Sequence, residues 1–224
     1  MKGERFTDHL RSLADPIWTA QHAHPFVCGI GDGTLSAHRF THWIRQDYLF
    51  LLEYCRLFGL AAARAPDFDT VARFADLLQA TARGEMELHR AYARECGIGD
   101  AELTATLMGP TTRAYTDFLL RVAAMGDFAE LAAALLPCMW GFSEIGQRLQ
   151  ARRIPSEPQY AKWIAMYAAA EFVELAAWCR GLVDRLAGEA SPAQRERIAA
   201  AFLTSSRYEY LFWDASYRLE QWPV

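Results

Sequence analysis

The chain has 224 residues, 52% of them apolar and 22% charged, with a formal charge of −4 and 29 aromatic side chains (7 Trp, 9 Tyr and 13 Phe). That much apolar material at so small a net charge buries a large core, which excludes a disordered or low-complexity chain. The 23 Lys and Arg are outnumbered by 27 Asp and Glu and spread along the chain, so no basic stripe for a nucleic acid is expected.

Val and Ile together number only 14, while Ala, Leu, Glu and Arg are abundant, so an all-α fold is predicted. From the N-terminus, Met1 to Leu10 carries Lys2, Glu4, Arg5, Asp8 and His9 and has no apolar stretch of the secretory kind, so no export is expected. Asp15-Pro16 can start a helix with proline at its first position. Gly29-Ile-Gly-Asp-Gly-Thr34 reads as a turn; its glycines mimic a phosphate loop, but no strand precedes them and no GK[ST] follows. Ser36 caps a long helix to about residue 64, Ala65-Pro66-Asp67 breaks it, and a second long helix runs to about Glu95. A short helix after Asp100 stops at Gly109-Pro110, and Pro110 opens the next. Asp127 and Glu130 form a capping-box-like pair. Pro155 and Pro158 precede another long helix ending near Gly188, and Ser191-Pro-Ala-Gln194 caps a last one reaching about Tyr217.

No linker and no repeat interrupts this series, so residues 1–224 are expected to form a single compact domain of seven or eight helices. No membrane span is expected, because the most apolar stretch, Leu131 to Phe142, is short and holds Pro137. Cys28, Cys55, Cys96, Cys138 and Cys179 are odd in number and contain no CxxC pair, which points to free thiols in a reducing cytosol and to no zinc site.

Polar groups on stripes that should be core are the informative residues. Phe40, Trp43, Ile44, Asp47, Phe50, Leu51, Tyr54 and Phe58 recur at helical spacing, which sets the Asp47 carboxylate in an aromatic face. Either a neighbouring hydroxyl or backbone group satisfies it, or it awaits a cationic or amidine-like ligand. In the last helix Glu209 shares a face with Phe202, Phe212, Trp213 and Tyr217, a setting that suits a proton donor. Cys138 lies on the stripe Leu131, Leu135, Phe142 and Ile145; next to the helix-distorting Pro137 it stands out from a cysteine that serves only as a small hydrophobe. Tyr115 and Tyr167 add phenols to inward faces, where packing alone is the plain alternative. All six histidines lie at or before His89, so no local Cys-His pair is visible. Glu85, Glu87 and His89 lack the Glu-x-x-His spacing of di-iron bundles and read as a solvated helix face.

His24-Pro-Phe-Val27, Gly31-Asp-Gly-Thr-Leu35, Gln46-Asp-Tyr-Leu-Phe50, Leu136-Pro-Cys-Met-Trp140, Lys162-Trp-Ile-Ala-Met-Tyr167 and Tyr208-Glu-Tyr-Leu-Phe-Trp213 occur in the order and at roughly the spacing of the TenA family, the thiaminase II proteins. The chain resembles that family over nearly its whole length. The resemblance implies a haem-oxygenase-like helical fold, usually a homotetramer, and hydrolysis of aminopyrimidines in thiamine salvage without metal or organic cofactor; the cytoplasmic location expected is the one the free thiols point to. It also implies that Cys138 is the nucleophile, Glu209 the acid/base with Tyr167 in the proton chain, Asp47 the carboxylate on the pyrimidine amino edge, Tyr115 a pocket tyrosine, and Phe212 a stacking ring. The expected reaction converts 4-amino-5-aminomethyl-2-methylpyrimidine to its hydroxymethyl counterpart with release of ammonia, and thiamine is a possible second substrate. Two departures stand out: Phe50 replaces a tyrosine of some members, and Ala168-Ala-Ala-Glu-Phe172 replaces a glycine-containing stretch. Two other classes remain open at this level: a pyrimidine-binding or regulatory protein without turnover, and a haem or di-metal oxygenase using His22, His24 and glutamates.

Overall fold

The computed structural model describes residues 5–152 and 154–224, so Lys2 and Glu4 of the N-terminal segment lie outside the described residues. Among these there is no strand; there are α1 (Phe6–Leu13), α2 (Asp15–His22), α3 (Pro25–Asp32), α4 (Ala37–Arg64), α5 (Phe68–Ala80), a π turn (Thr81–Glu85), α6 (Met86–Glu95), α7 (Asp100–Ala105), α8 (Pro110–Met125), α9 (Phe128–Gln150), α10 (Pro158–Tyr167), α11 (Ala170–Glu189) and α12 (Pro192–Arg218). The all-α expectation holds, but the helices are more numerous than seven or eight. The N-terminal third divides at Ala14 and at the His24-Pro25 cap, the second long helix is interrupted by the π turn, and the run after Pro158 breaks at Ala168-Ala169.

Punctuation residues account for most boundaries. Ser36 Oγ accepts from Arg39 N–H at 3.4 Å, and Asp67 Oδ1 from Thr70 N–H at 2.7 Å. Ser191 and Gln194 cap α12 reciprocally: Ser191 N–H donates to Gln194 Oε1 at 2.9 Å, and Gln194 N–H to Ser191 Oγ at 3.3 Å. The expected turn at 29–34 is mostly helix instead. Pro25 sits at its first turn, the His24 ring caps it by accepting from Phe26 N–H, and only Gly33, at φ +73°, ends it.

The chain divides into two compact units. One comprises residues 5–35 and 129–214. There Asp184 of α11 accepts from the Thr7 N–H and hydroxyl at 2.8 and 3.2 Å, fixing α1, while Trp18 and Gln21 of α2 donate to the Ser206 hydroxyl and carbonyl of α12. Its core includes Trp18, Phe26, Trp163, Phe202 and Trp213, each almost fully buried. Contrary to the expectation from the short Leu131 to Phe142 stretch, helix α9 is 23 residues long and its most apolar window has mean hydropathy 1.2, the length and composition of a membrane span. Two-thirds of that window is buried inside the protein, as in the core helix of a bundle.

The other unit comprises residues 36–128 and 215–224. Helix α4 packs against α5, α6 and α8. Arg64 at its C-terminus donates to the Ala123 and Gly126 carbonyls that end α8, and the Glu220 carboxylate accepts from the Thr111 N–H and hydroxyl at 2.8 and 3.0 Å. Phe40, Trp43, Phe58, Phe74 and Tyr92 form its aromatic core.

Candidate active site

In the unit built on α4, Asp47, Phe50 and Tyr115 come together. Asp47 and Phe50 are one turn apart, with only 4% and 3% of their surface exposed. The Phe50 ring lies 5.2 Å from that of Tyr54 and 5.2 Å from that of Tyr115 on α8, so the three rings form one wall. The turn of α4 that carries them is anchored by Gln46. Its Nε2 donates to the Leu107 carbonyl at 3.1 Å, and its Oε1 accepts from Gly109 N–H at 2.8 Å.

What satisfies Asp47 is a histidine. His89 Nε2 lies 2.6 Å from Asp47 Oδ2, and His89 Nδ1 lies 3.0 Å from the Glu85 carbonyl oxygen. This overturns the reading of 85–89 as a solvated face: Glu87 is exposed, but His89 is fully buried. Trp43 and Tyr92 flank the ring, with centroids at 5.7 and 6.4 Å. The signal was present in the stripe Met86, His89, Tyr92 and Ala93, all buried, which has helical spacing. The charges of Glu85 and Glu87 in the same segment mask that stripe in the sequence.

A carbonyl can only accept, so Nδ1 is protonated. A neutral ring would then turn a bare Nε2 lone pair toward the carboxylate at 2.6 Å, and the contact requires one more proton. Burial pushes the His89 pKa down, but the Asp47 hydrogen bond and charge, with the Glu85 charge and carbonyl, outweigh it, and the net direction is up. The direction of that shift favours the protonated ring in this contact. Asp47 Oδ1 has no hydrogen-bond partner among the described residues.

In the other unit, α9, α10 and α12 carry Cys138, Tyr167, Glu209 and Phe212. Cys138 is half-buried, and α9 runs on through Pro137, which lacks the N–H for one helical bond. One turn further, the Phe142 ring meets Tyr167 at 4.9 Å and Trp213 at 4.9 Å. Tyr167 also packs on Trp163 at 4.7 Å and Phe172 at 5.2 Å, the latter just beyond the Ala168-Ala169 break. Gly146 makes this approach possible: a Cβ there would lie 2.7 Å from the Tyr167 carbonyl carbon and 2.9 Å from Ala168 N. Glu209, 2% exposed, precedes Trp213 by one turn, and Phe212, 3% exposed, packs edge-on against Trp213 at 6.4 Å. A buried carboxyl on an aromatic wall and a half-buried thiol at a proline are the groups that acid/base and nucleophilic chemistry need.

His22 and His24, considered above as metal ligands, have structural roles. His24 caps α3 and faces Asp214 at 3.8 Å. His22 lies 3.4 Å from Glu144, and burial, with Arg148 and Arg11, takes its pKa down to about 4 against the pull of Glu144 and Asp15.

Known proteins share this chain's sequence and architecture. It is 44% identical to an aminopyrimidine aminohydrolase of Halalkalibacterium halodurans over 218 residues, 97% of each chain. It is 38% identical to an aminopyrimidine aminohydrolase of Bacillus subtilis, covering 97% of this chain and 92% of the relative. A solved structure from Silicibacter sp., described as a TenA family transcription regulator, superposes with a TM-score of 0.89 at 30% identity, covering 95% of this chain and 96% of the other. The fold extends to a domain from Shewanella denitrificans with a heme oxygenase-like fold, at a TM-score of 0.71 and 11% identity, covering 95% of this chain and 90% of that one. The sequence profile of the TENA/THI-4/PQQC family matches residues 11–219, and the chain belongs to that family.

Proposed function

We propose that the chain is an aminopyrimidine aminohydrolase of thiamine salvage, converting 4-amino-5-aminomethyl-2-methylpyrimidine and water to the 5-hydroxymethyl compound and ammonia. The observation that carries this is 44% identity over 97% of each chain to a protein of that name. The chemistry of the buried groups supports it. Direct displacement at the exocyclic methylene of an aromatic ring is slow. Addition of the Cys138 thiolate to a ring carbon breaks aromaticity, so the electron pair pushed through the ring expels the amine, which leaves as ammonia once Glu209, with Tyr167 in the proton path, has supplied a proton. Water then adds to the methylene, its proton returns to the base, the thiolate is expelled and the ring is restored.

Asp47 is assigned to the amino group of the ring, Phe50 and Tyr115 to its surroundings, and Phe212 to stacking. The fixed His89 contact supports the first of these, because an anchored carboxylate aligns a ring for attack without paying for its own ordering. Thiamine is the second substrate proposed. A cytosolic setting is proposed on the five free cysteines, and a homotetramer on the family resemblance alone. The test is ammonia release from the aminomethylpyrimidine by purified protein, compared with Cys138→Ala. Release by the wild type and none by the variant is expected; equal behaviour of the two would refute the role of Cys138.

A further inference from the structure

We infer that His89 is a positioning residue that holds Asp47 as an acceptor-only anchor, so that the site takes rings presenting an N–H donor to Asp47 Oδ1 and discriminates against those presenting a carbonyl. The inference rests on the reading of Asp47 as the pyrimidine-binding carboxylate and deepens it.

Both ring nitrogens of His89 are engaged. His89 is held on its far side by Nδ1–H donating to the Glu85 carbonyl at 3.0 Å, and its near side delivers the Nε2 proton to Asp47 Oδ2 at 2.6 Å. The ring cannot rotate away, because it is fully buried between Trp43 and Tyr92. The Glu85 carbonyl comes from the π turn at Thr81–Glu85, a helical distortion of the kind that accompanies functional sites. The groups of charge or titration that face the His89 ring are Asp47 from α4, Glu85 from the π turn and, on its own helix, Tyr92, whose phenol is pushed up to about 12 by burial and the Glu95 charge. Among the described residues the groups that face the ring bring acidic oxygens toward it and no cation, which favours its protonated form.

With Oδ2 engaged and the proton resident on imidazole, Oδ1 carries lone pairs only. An exocyclic amino group can donate to it; a carbonyl in the same place would set lone pair against lone pair, and a site built for a donor rejects the analogue lacking it far more strongly than a merely apolar pocket does. Without a donor on Oδ2, burial of a carboxyl that is 4% exposed favours its neutral form, and as an acid it can donate as well as accept. The discrimination would then relax, most of all toward low pH.

The test measures dissociation constants of 4-amino-5-hydroxymethyl-2-methylpyrimidine and its 4-oxo analogue by calorimetry between pH 5.5 and 8. It uses wild type, His89→Leu and His89→Gln, beside ammonia release and nitrogen NMR of the histidine rings. In wild type, His89 should show two protonated nitrogens at pH 7, and Asp47→Asn should abolish the second. His89→Leu should weaken the amino ligand about 10- to 100-fold, as expected when a charge-assisted contact is lost. It should also narrow the amino-to-oxo preference and make binding fall toward pH 5.5. His89→Gln, which can still donate to Oδ2, should stay within about 5-fold of wild type and keep the preference. If wild type binds and turns over the substrate while His89→Leu matches it in affinity, preference and pH profile, the inference fails and the functional reading stands. If wild type neither binds the amino ligand nor releases ammonia, the functional reading fails; a singly protonated His89 at pH 7 overturns the inference in either case.

Discussion

Replacing Gly146 by alanine tests how Tyr167 is held in place. In an exposed helix interior, glycine to alanine gains about 0.5–1 kcal/mol. At position 146 the added Cβ would lie 2.7 Å from the Tyr167 carbonyl carbon, 2.8 Å from its Cβ and 2.9 Å from Ala168 N. Carbon contacts are favourable at about 3.5–4.0 Å, so α9 and the end of α10 must separate by roughly 1 Å. Two of the three atoms are backbone, so no rotamer change relieves the clash. Overpacking of this kind costs about 1–3 kcal/mol, and set against the propensity gain the net change should be destabilising by about 1–2 kcal/mol. Gly59 and Gly181 are helical glycines whose added Cβ would meet nothing within 4 Å, so the same substitution there should stabilise by about 0.5–1 kcal/mol. Urea unfolding should therefore separate the Gly146 variant from the Gly59 and Gly181 controls by about 2 kcal/mol, with the order reversed in sign. Because the displaced segment carries Tyr167, packed at 4.9 Å on Phe142 and proposed to lie in the proton path, ammonia release should also fall about 10-fold or more. A Gly146→Ala protein as stable as the Gly59 control would show that this contact does not position Tyr167.

Phe50→Tyr restores a hydroxyl beside Tyr115 at a position 3% exposed; it should raise kcat several-fold with little change in KM and cost up to about 2 kcal/mol of stability, read by steady-state kinetics and thermal unfolding. Because the His89 pKa is raised in the folded protein, its contribution to stability is complete below about 6.5, the unfolded value, and is lost as pH rises through the folded value; His89→Gln should flatten that alkaline decline in a Tm-versus-pH series. His22 acts with the opposite sign. Held neutral down to about 4, it lets the unfolded chain bind a proton that the folded chain does not between about 4 and 6.5, so stability should fall with acidification across that window, and His22→Gln should lessen the fall.

The α4 stripe was legible because helical periodicity is a local property. Asp47 stood out as a carboxylate among Phe40, Trp43 and Phe50, and it is indeed buried. Its partner was not legible, because Asp47 and His89 are 42 residues apart and only the packing of α6 on α4 brings them within 2.6 Å. The π turn contributed to this. No composition rule marks Thr81–Glu85 as an extra-wide turn, yet its last carbonyl orients the His89 ring. Boundaries set by side-chain caps, such as Ser36, Asp67 and Ser191 with Gln194, were readable. The break at Ala168-Ala169 was not, since alanine is the best helix former and only tertiary packing around Tyr167 and Phe172 accounts for a bend there.

The products of one incubation test the proposed hydrolysis most directly. Purified protein given 4-amino-5-aminomethyl-2-methylpyrimidine should release one ammonia per hydroxymethylpyrimidine formed, while Cys138→Ala, folded and still binding the ring, should release none. An intact substrate after incubation with the wild-type protein, or equal ammonia from the variant, would contradict it.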